Sequence, residues 1–440
     1  MTNYENLLKK INEKTLVIGV IGLGYVGLPL AVTFAKNGAA TLGFEKSEKK
    51  AKSVNEAKNY IADVKDEDLF SVVKQTKKFS ATTDFSRIKE CDALIICVPT
   101  PLDQFKKPDM SFIESACHEI GKNMKAATFI SLESTTYPTT TENFMKPIIE
   151  QDSNLKEGRD FWLCFSPERV DPGNKEYKTD NTPKVVGAMG KEAQILAKGI
   201  YSIAIKHLHL VSSPRAAEMV KILENTYRLI NISLINELAL LAGKMDINIW
   251  EVIDAAKTKP YGFQAFYPGP GIGGHCIPLD PFYLEHIAKE YNFDLSMIHS
   301  AGAINDLMPY RMMNKISYAL NRKQKALNGS TILFLGVAYK PDIDDARESP
   351  ALLVMAQVAK KGANVLYHDP YIPQVRDEKG NKYDSSPLTD ELLRSADCVV
   401  FTTNHSAFDV DHIVETAKLI VDMRNAVKSI AIENDKVFKL

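Results

Sequence analysis

A glycine-rich turn between a short apolar run and a helical pattern constrains the fold more than any other feature of this chain. The apolar run covers residues 16 to 21, and apolar residues recur at helical spacing from 28 to 37. Three glycines, Gly22, Gly24 and Gly27, lie between the two segments. A strand, a tight turn with this glycine spacing and a helix, in this order, are typical of a Rossmann-type dinucleotide-binding domain.

The glycines of this turn have separate expected tasks. Gly22 permits a sharp change of direction, Gly24 lets the backbone approach a pyrophosphate, and Gly27 allows the strand and the helix to pack closely. The phosphates are then expected at the amino end of the helix, where backbone N–H groups have no partner within the helix.

An acidic residue at the end of the second strand-like run bears on the choice of cofactor. Glu45 follows Gly27 by eighteen residues, and a carboxylate at this place accepts hydrogen bonds from ribose hydroxyls and repels a 2′-phosphate. The sequence therefore predicts NAD rather than NADP, although Lys46 and Lys49 nearby would accommodate a phosphate. The alternative is a glycine turn beside an ordinary surface glutamate.

Strand-like apolar runs alternate with helical patterns along the chain. The predicted strands after the first cover residues 41 to 44, 93 to 98, 129 to 132 and 161 to 165, and a helix is predicted over residues 113 to 124. This alternation indicates a parallel sheet covered by helices. One long helix is predicted over residues 214 to 243, and a second strand, turn and helix begin at Thr331.

The predicted fold class is α/β, with two Rossmann-like doubly wound domains joined by a long central helix. We expect an NAD-binding Rossmann domain over residues 1–212, a central helical domain with a cysteine loop over 213–322, and a Rossmann-like domain over 323–440. The last domain lacks the three-glycine turn, so it is expected to bind something other than a dinucleotide pyrophosphate.

Charge and composition exclude several classes of partner. The 54 basic and 55 acidic side chains are interspersed, so no field attracts nucleic acid or an anionic membrane. The amino terminus carries charges where a secretory signal needs an apolar core, and no run approaches about 18 apolar residues. We therefore predict a cytoplasmic protein with a small-molecule substrate. The six cysteines include no CxxC pair, so neither disulfides nor a metal site are expected.

A loop rich in glycine and proline precedes Cys276. Gly273 and Gly274 are expected to leave room for a ligand beside the thiol. The reactive form of cysteine is the thiolate, and a position near the start of a helix at Pro281 would lower the pKa of Cys276 below the free value of about 8.5. A buried thiol that only fills space is the alternative. A dyad with His275 is disfavoured, because adjacent side chains point apart.

Three polar residues complete the site predicted around this nucleophile. Lys221 and Asn225 lie four residues apart on the long helix, so they share one face, where an ammonium and an amide stabilise an oxyanion. An exposed pair on the helix surface is the alternative. Asp280 is suited to hold a catalytic water or the reacting hydroxyl. Because proline follows it, Asp280 is equally suited to cap a helix, and the two roles are compatible.

Other polar side chains come just after strand-like runs, where Rossmann-type sheets carry their functional groups. Glu168 is a candidate base for activating water, and a salt bridge to Arg169 or Arg215 is its alternative. Thr135 and Thr136 either hold water or cap the following segment.

Together and in this order, these motifs resemble the UDP-glucose/UDP-mannose dehydrogenase family over nearly the whole chain. The segments that carry the resemblance are residues 22–30, 98–101, 133–135, 166–169, 218–228, 273–280 and 336–350. The resemblance implies a primary alcohol of a nucleotide-sugar as substrate, NAD as oxidant and a UDP-binding domain over residues 323–440.

The resemblance also implies roles for individual residues. Cys276 is the implied nucleophile, and the implied role of Lys221 and Asn225 is to stabilise the oxyanion. Asp280 and Lys221 hold a water, and Glu168 with Thr135 serves hydrolysis. The implied NAD-binding residues are Gly22, Gly24, Tyr25, Val26, Gly27, Glu45, Pro99, Thr100, Thr135 and Arg347, the last toward NAD bound to the other domain. The implied substrate-binding residues are Glu168, Arg169, Lys221, Asn225, Tyr267, Gly273 and Lys340.

The implied reaction is a four-electron oxidation in two hydride transfers at one carbon. The thiol of Cys276 attacks the intermediate aldehyde, the thiohemiacetal is oxidised to a thioester, and water releases the acid. The product is expected to serve as a precursor of surface polysaccharide. The family also implies a homodimer through the long helix, whose apolar stripe would equally serve an internal core.

Loop residues indicate the substrate within the family. Residues 166–174 and 262–270, with Pro278 and 281–283, resemble the branch that acts on UDP-N-acetylglucosamine, which is therefore the expected substrate. Glu45, in place of the more usual aspartate, and the Gln264-Ala265 pair depart from the family pattern, which affects affinity rather than chemistry.

Several alternatives to this substrate and activity stay open. The nearest is the same chemistry on UDP-N-acetylgalactosamine, UDP-N-acetylmannosamine or UDP-glucose. A single-oxidation dehydrogenase of the 6-phosphogluconate or hydroxyacyl type would not need Cys276. A non-catalytic NAD-responsive binding protein would leave Lys221 and Asn225 without a task.

Overall fold

The computed structural model describes the chain except residues 62, 104–106, 171–175, 275–276, 377–379 and 431–433. Two compact units form. The first comprises Met1–Glu224 with Phe282–Phe293, and the second comprises Asn225–Pro281 with Asp294–Leu440. Each unit contains a parallel sheet, so the predicted α/β class with two Rossmann-like sheets is confirmed.

The elements of the first unit alternate between strands and helices. In chain order they are α1 (Asn3–Glu13), β1 (Val17–Ile21), α2 (Gly27–Lys36), β2 (Ala40–Phe44), α3 (Glu48–Asn55), α4 (Asp66–Phe70), β3 (Phe79–Thr82), β4 (Ala93–Ile96), α5 (Ser111–Asn123), β5 (Thr128–Leu132), α6 (Lys146–Ser153), β6 (Phe161–Phe165), β7 (Lys184–Ala188), α7 (Gly190–Tyr201) and β8 (Leu208–Val211). The long helix α8 (Pro214–Lys244) follows and confirms the predicted helix, one residue longer.

The sheet of the first unit has the strand order β3-β2-β1-β4-β5-β6-β7-β8. Its first six strands follow the order typical of a Rossmann domain, in which the order of successive strands reverses between β1 and β4. Strands β4, β5 and β6 are buried at every residue, which explains their continuous apolar runs. The apolar runs in the sequence do not predict β3, β7 or β8, and β7 pairs with β6 in the antiparallel direction, against the expectation of a parallel sheet.

The second unit carries the remaining elements. They are α9 (Ile249–Ala256), α10 (Asp280–Ala288), which continues into the first unit, α11 (Ser296–Arg322), β9 (Thr331–Leu335), α12 (Pro350–Lys360), β10 (Asn364–His368), β11 (Gln374–Arg376), β12 (Lys382–Asp384), α13 (Asp390–Ser395), β13 (Cys398–Phe401), α14 (Val410–Thr416), β14 (Ile420–Asp422) and β15 (Val437–Lys439).

The main sheet of the second unit has the order β10-β9-β13-β14-β15, and all its neighbouring strands are parallel. The order of successive strands reverses between β9 and β13. Residues 396–403 (ADCVVFTT) are similar in sequence to residues 91–100 (CDALIICVPT). The two segments hold equivalent positions, since β13 and β4 each lie beside the first strand of their sheet. No helix in the described part of the chain combines the length and apolar character needed to cross a membrane.

Candidate active site

The three glycines of the first turn occupy three different environments. Gly22 has a φ of +90°, and a Cβ there would lie 2.6 Å from the carbonyl oxygen of Cys97. A Cβ on Gly27 would lie 1.9 Å from the carbonyl oxygen of Gly22, whereas one on Gly24 would have no heavy atom within 4 Å. The turn is therefore sharp at Gly22, tightly packed at Gly27 and open at Gly24. This cradle fits a dinucleotide pyrophosphate at the start of α2.

The carboxylate of Glu45 lies against this turn. Its Oε2 accepts a hydrogen bond from the backbone N–H of Leu23 and its Oε1 accepts one from that of Ser47, both at 3.1 Å. The Tyr60 hydroxyl donates to the Leu23 carbonyl at 2.8 Å, and burial, with the charge of Glu45, raises the pKa of Tyr60. Glu45 is thus part of the turn rather than an ordinary surface residue. Lys46 donates to Ser115 instead.

The other predicted NAD-binding residues of the first unit border the same edge of the sheet. Tyr25 and Val26 lie within the turn, with Tyr25 half exposed. Pro99 and Thr100 follow β4, and the Tyr283 hydroxyl of α10 donates to the Thr100 carbonyl at 2.5 Å. Their contact with the cofactor stays a prediction.

The carboxylate of Glu168 is held by its own loop. Its Oε1 accepts hydrogen bonds from the backbone N–H groups of Arg169 and Val170, both at 2.8 Å. Its Oε2 lies 3.8 Å from Nζ of Lys184. The carbonyl oxygen of Glu168 accepts a hydrogen bond from Lys221 at 2.7 Å, which joins α8 to this loop.

Neither arginine that we considered as an ion-pair partner of Glu168 takes that role. Arg169 donates to both carboxylate oxygens of Glu224, at 3.3 and 2.5 Å, and to the carbonyl of Pro183. Arg215 pairs with Glu142. The expected alternative is therefore wrong, because both guanidinium groups have nearer carboxylates and the cation that faces Glu168 is Lys184.

Sequence reasoning misses a buried ionic cluster next to Glu168. Lys184 donates to Glu133 at 2.6 Å, and both side chains are almost fully buried, at 6% and 0% exposure. The Tyr201 hydroxyl donates to the other oxygen of Glu133 at 2.7 Å. A lysine at the start of an otherwise apolar strand, and a glutamate directly after another, are the sequence signals that such a cluster leaves.

The threonines after β5 differ in their environment. Thr136 is buried and its hydroxyl lies 2.6 Å from that of Thr140. Thr135 is partly exposed, and no described residue hydrogen-bonds to its side chain, which leaves the hydroxyl for a ligand or water. Thr135 therefore remains the better candidate of the two.

A second buried carboxylate shapes the segment that follows these threonines. Glu218, on α8, accepts hydrogen bonds from the backbone N–H groups of Thr139 and Thr141, at 2.6 and 2.9 Å, and from the Thr141 hydroxyl at 2.7 Å. Burial raises the pKa of Glu218 to about 7. Glu218 begins the segment 218–228 that carries the family resemblance, from which no role was predicted for this residue.

Within the second unit, Asn225 and Asp280 meet. Nδ2 of Asn225 donates to Oδ2 of Asp280 at 2.6 Å, and both residues are buried. Lys221, one turn earlier on α8, is partly buried. These environments exclude the alternative of an exposed helix-surface pair. Helix α10 begins at Asp280 itself rather than at Pro281.

The cysteine loop is described up to Gly274 and again from Ile277. Cys276 and His275 lie outside the described residues. A Cβ on Gly273 would lie 2.8 Å from Tyr339 and from the carbonyl oxygen of Glu348, so the chain itself fills the space in which we expected room for a ligand. Tyr267 stacks on Trp250 at 5.8 Å between ring centroids. Substrate contact by Tyr267 or by the Gly273 backbone stays a prediction.

The turn after β9 contains the last predicted contacts. Lys340 is partly buried, and Arg347 is exposed with its guanidinium on the carboxylate of Asp345, at 2.6 to 3.0 Å. The proposed reach of Arg347 toward bound NAD therefore requires that this pair opens or is shared. Among the described residues, no group of three or more histidine, cysteine, aspartate or glutamate side chains is arranged to hold a metal.

Three adjacent segments match the domain models of one family. The UDP-glucose/GDP-mannose dehydrogenase family matches with its NAD binding domain over residues 16–205, its central domain over 215–307 and its UDP binding domain over 333–429. GDP-mannose stands in this description where the sequence analysis has UDP-mannose.

Individual relatives agree with this match over nearly their whole length. The chain is 32% identical over 396 residues to UDP-N-acetyl-D-glucosamine 6-dehydrogenase of Pseudomonas aeruginosa, covering 90% of this chain and 92% of the relative. The structure of UDP-D-ManNAc dehydrogenase from Pyrococcus horikoshii superposes with a TM-score of 0.88 at 32% identity, covering 96% and 99%.

A third relative carries another acetylated sugar in its name. The structure of NDP-N-acetyl-D-galactosaminuronic acid dehydrogenase from Methanosarcina mazei Go1 superposes with a TM-score of 0.82 at 33% identity, covering 100% and 97%. With the cradle at Gly24 and three matching domains, this chain is an NAD-dependent oxidoreductase that belongs to the UDP-glucose/GDP-mannose dehydrogenase family.

Proposed function

We propose that this enzyme oxidises the C6 hydroxyl of a UDP-N-acetylhexosamine to the uronic acid, and that UDP-N-acetyl-D-glucosamine is its substrate. The observation that carries the proposal is the presence of an NAD binding domain and a UDP binding domain on one chain, joined by the segment with Asn225 and Asp280. In this scheme residues 1–212 bind NAD, 213–322 supply the cysteine loop, and 323–440 bind UDP.

The proposed reaction balances as a four-electron oxidation. One alcohol, two NAD and one water give one carboxylate, two NADH and three protons. Bound NAD supplies the hydride acceptor in both oxidations. The side chain of Cys276 adds to the aldehyde and forms a thiohemiacetal, which retains the intermediate until it becomes a thioester. Water then forms the new C–O bond, and the C–S bond breaks to restore the thiolate.

The described residues suit the polar steps of this scheme. The Asn225 amide, which fixes Asp280 at 2.6 Å, favours a defined carboxylate position for holding a water beside the reacting hydroxyl. Lys221 is the second residue that we assign to this water and to the developing oxyanion, where one such donor is typically worth about 3 kcal/mol. Glu168 and the free hydroxyl of Thr135 serve hydrolysis of the thioester.

The choice of sugar rests on loop residues, because the relatives are named for different sugars. Relatives named for N-acetylglucosamine and N-acetylmannosamine are equally similar, at 32% and 33% identity, and a structure named for N-acetylgalactosaminuronic acid is similar too. The loop residues around 262–270 and Pro278 favour N-acetylglucosamine. The same chemistry on UDP-N-acetylmannosamine, UDP-N-acetylgalactosamine or UDP-glucose is the second candidate.

A stoichiometric assay with a panel of UDP-sugars tests both parts. Purified enzyme is incubated with NAD and each of the four sugars, and NADH is counted per sugar consumed. Two NADH per uronic acid, highest kcat/KM with UDP-N-acetylglucosamine, and loss of acid formation in Cys276→Ala are expected. Cys117→Ala, a buried cysteine of the first unit, is the matched control. Preference for another sugar would overturn the substrate, and one NADH per sugar would overturn the thioester route.

The exposed apolar face of α8 supports the predicted homodimer. Leu234, Leu238 and Leu241 recur at helical spacing and are 40 to 52% exposed. We propose that a second copy covers this face, which would remove the leucines from water. Light scattering is expected to give a dimer for the native protein and a monomer for Leu238→Glu; a native monomer would contradict this. A cytoplasmic location and a role in making surface polysaccharide precursors complete the proposal.

A further inference from the structure

Lys184 is a buried lysine that the mechanism above does not use. Its side chain is 6% exposed at the start of β7, and its Nζ lies 2.6 Å from Glu133 and 3.8 Å from Oε2 of Glu168. An ammonium is rarely buried without pairing, because its loss of hydration is costly. Its position next to the proposed hydrolytic base therefore calls for an explanation.

Strand direction explains how a lysine reaches this edge of the sheet. In the antiparallel pairing of β6 with β7, Cys164 lies opposite Ala188 and Phe165 opposite Gly187. The same register, continued past the end of β6, puts Lys184 opposite Glu168. Parallel strands place only their carboxyl ends at this edge of the sheet. Because β7 runs in the opposite direction, its first residue, Lys184, lies at this edge instead.

Two further side chains fix the lysine. Glu133, with 0% side-chain exposure, accepts from Lys184 through one oxygen and from the Tyr201 hydroxyl through the other. The Tyr201 hydroxyl also lies 2.8 Å from that of Ser131. Lys184 thus has little rotational freedom, and its remaining protons face the Pro167 carbonyl at 3.5 Å and Glu168.

The charges around this lysine favour an ammonium that faces a carboxylate. Burial alone would lower the pKa of Lys184, but Glu133 and Glu168 outweigh it and raise that pKa. Of the other cations near Glu168, Lys221 contacts its backbone carbonyl and Arg169 turns to Glu224. Among the described ion pairs, the one that reaches the Glu168 carboxylate itself comes from Lys184.

We propose that Lys184 is a positioning residue which, anchored by Glu133 and Tyr201, holds the Glu168 carboxylate in the orientation that accepts a proton from the hydrolytic water. This inference rests on the proposed function. In the step concerned, the water oxygen bonds to the acyl carbon, the C–S bond breaks, Cys276 leaves as thiolate, and Glu168 takes one proton of the water. The second proton stays on the acid and dissociates afterwards.

The first test separates hydrolysis from hydride transfer. In Lys184→Met, rapid mixing with NAD and the preferred UDP-sugar is expected to show a burst of two NADH per active site, followed by turnover slowed roughly tenfold to a hundredfold. Intact mass should show the acyl-enzyme accumulating. Lys184→Arg should restore part of the turnover. The matched control is Lys10→Met, which removes a cation from buried Asp92 at the amino-terminal end of β4 and should turn over normally.

A second set of variants identifies the route of the effect. If Lys184 acts through Glu168, then Lys184→Met adds nothing to the defect of Glu168→Gln. Because Lys184→Met leaves the buried charge of Glu133 without its cation, the doubly neutral Glu133→Gln/Lys184→Met is measured as well and should show the same slow hydrolysis if the single variant fails to fold. Additive defects, or equal slowing of burst and turnover, would overturn the positioning role alone. Native enzyme that forms no NADH with any of the four sugars would overturn the proposed function together with it.

Discussion

The two Rossmann sheets carry an acidic residue at the same topological place, and the two carboxylates differ in how many hydrogen bonds they accept. In the first unit, Glu45 follows β2 and accepts one backbone N–H per oxygen from Leu23 and Ser47. In the second, Asp369 follows β10, which pairs with β9 as β2 pairs with β1. Its Oδ2 accepts from the backbone N–H groups of Val337 and Ala338, and its Oδ1 from two more.

His405 provides a further hydrogen bond to the carboxylate of Asp369. His405 is buried and its Nδ1 accepts from the backbone N–H of Asp342 at 3.0 Å, so the ring proton is on Nε2 and is donated to Asp369. All these bonds stabilise the turn that carries Lys340. Glu45 thus accepts fewer hydrogen bonds than Asp369 and lies beside the open space at Gly24. We therefore expect Glu45 to keep lone pairs for a ligand, whereas the lone pairs of Asp369 stabilise its own unit.

The buried acids of the two units also respond oppositely to pH. Burial raises the pKa of Glu218 in the first unit to about 7. Burial alone would raise the pKa of Asp369 too, but hydrogen bonds from His405 and from backbone N–H groups outweigh it and lower that pKa. The chain has two tryptophans, Trp162 in the first unit and Trp250 in the second, so single Trp→Phe variants give a reporter for each unit.

The largest expected effect is the loss of the charge on Asp369. Asp369→Asn puts an amide against backbone donors and should lower the free energy of unfolding of the second unit by about 3 to 4 kcal/mol. Urea unfolding followed at Trp250 measures it, with NAD affinity unchanged. Asp384→Asn, an exposed carboxylate of the same unit, should stay within about 0.5 kcal/mol. A small loss of unfolding free energy in Asp369→Asn would contradict the stabilising role of this carboxylate in the second unit.

The next effect is a pH dependence in the first unit. The folded state keeps the proton of Glu218 up to about pH 7, whereas the unfolded chain releases it near about pH 4.3. The stability of this unit should therefore fall as pH rises between those values, by on the order of 3 kcal/mol. Asp369 acts in the opposite sense, since its contribution is present above its unfolded pKa and lost as pH falls through its folded pKa.

Urea titrations at several pH values, followed at Trp162, measure this slope. Glu218→Gln should flatten it, because the amide has the shape of the neutral acid and does not titrate. An unchanged slope in this variant would assign the pH dependence to another group, such as the buried Glu133, whose pKa burial also raises.

A smaller effect separates packing from binding within the glycine turn. Gly27→Ala should destabilise the first unit by about 2 kcal/mol, since the new Cβ would lie 1.9 Å from the Gly22 carbonyl oxygen. Gly24→Ala meets no atom within 4 Å and should leave stability within about 0.5 kcal/mol while weakening NAD binding. Calorimetric NAD titrations and thermal unfolding measure both. Equal destabilisation by the two variants would contradict the open cradle at Gly24.

The smallest expected effect concerns Glu45, for which we predict contact with NAD. Glu45→Gln keeps the size of the side chain and should weaken NAD binding about tenfold, about 1.4 kcal/mol, by loss of charge-assisted bonds to the ribose. Discrimination against NADP should fall in parallel. Binding titrations with both dinucleotides provide the measurement. Unchanged affinity for both would mean that Glu45, like Asp369, only holds its own turn.

Local patterns determined most of the architecture. The apolar runs of β1, β5, β6 and β9, the helices α2 and α8, and the glycine spacing at residues 22 to 27 follow from periodicity and backbone geometry, which act between near neighbours in the chain. They were sufficient for the α/β class and the NAD turn, whereas the membership of the family came from the resemblance of ordered motifs between residues 22 and 350.

The partners of the polar side chains were decided only by the tertiary structure. Glu168 faces Lys184 rather than an arginine because β7 runs antiparallel to β6, and no local pattern encodes a strand direction. Asn225 meets Asp280 across 55 positions of sequence. Gly273 is explained by the close approach of Tyr339. Hydrogen bonds and ion pairs act over a few ångströms of space, so their partners depend on how distant segments pack.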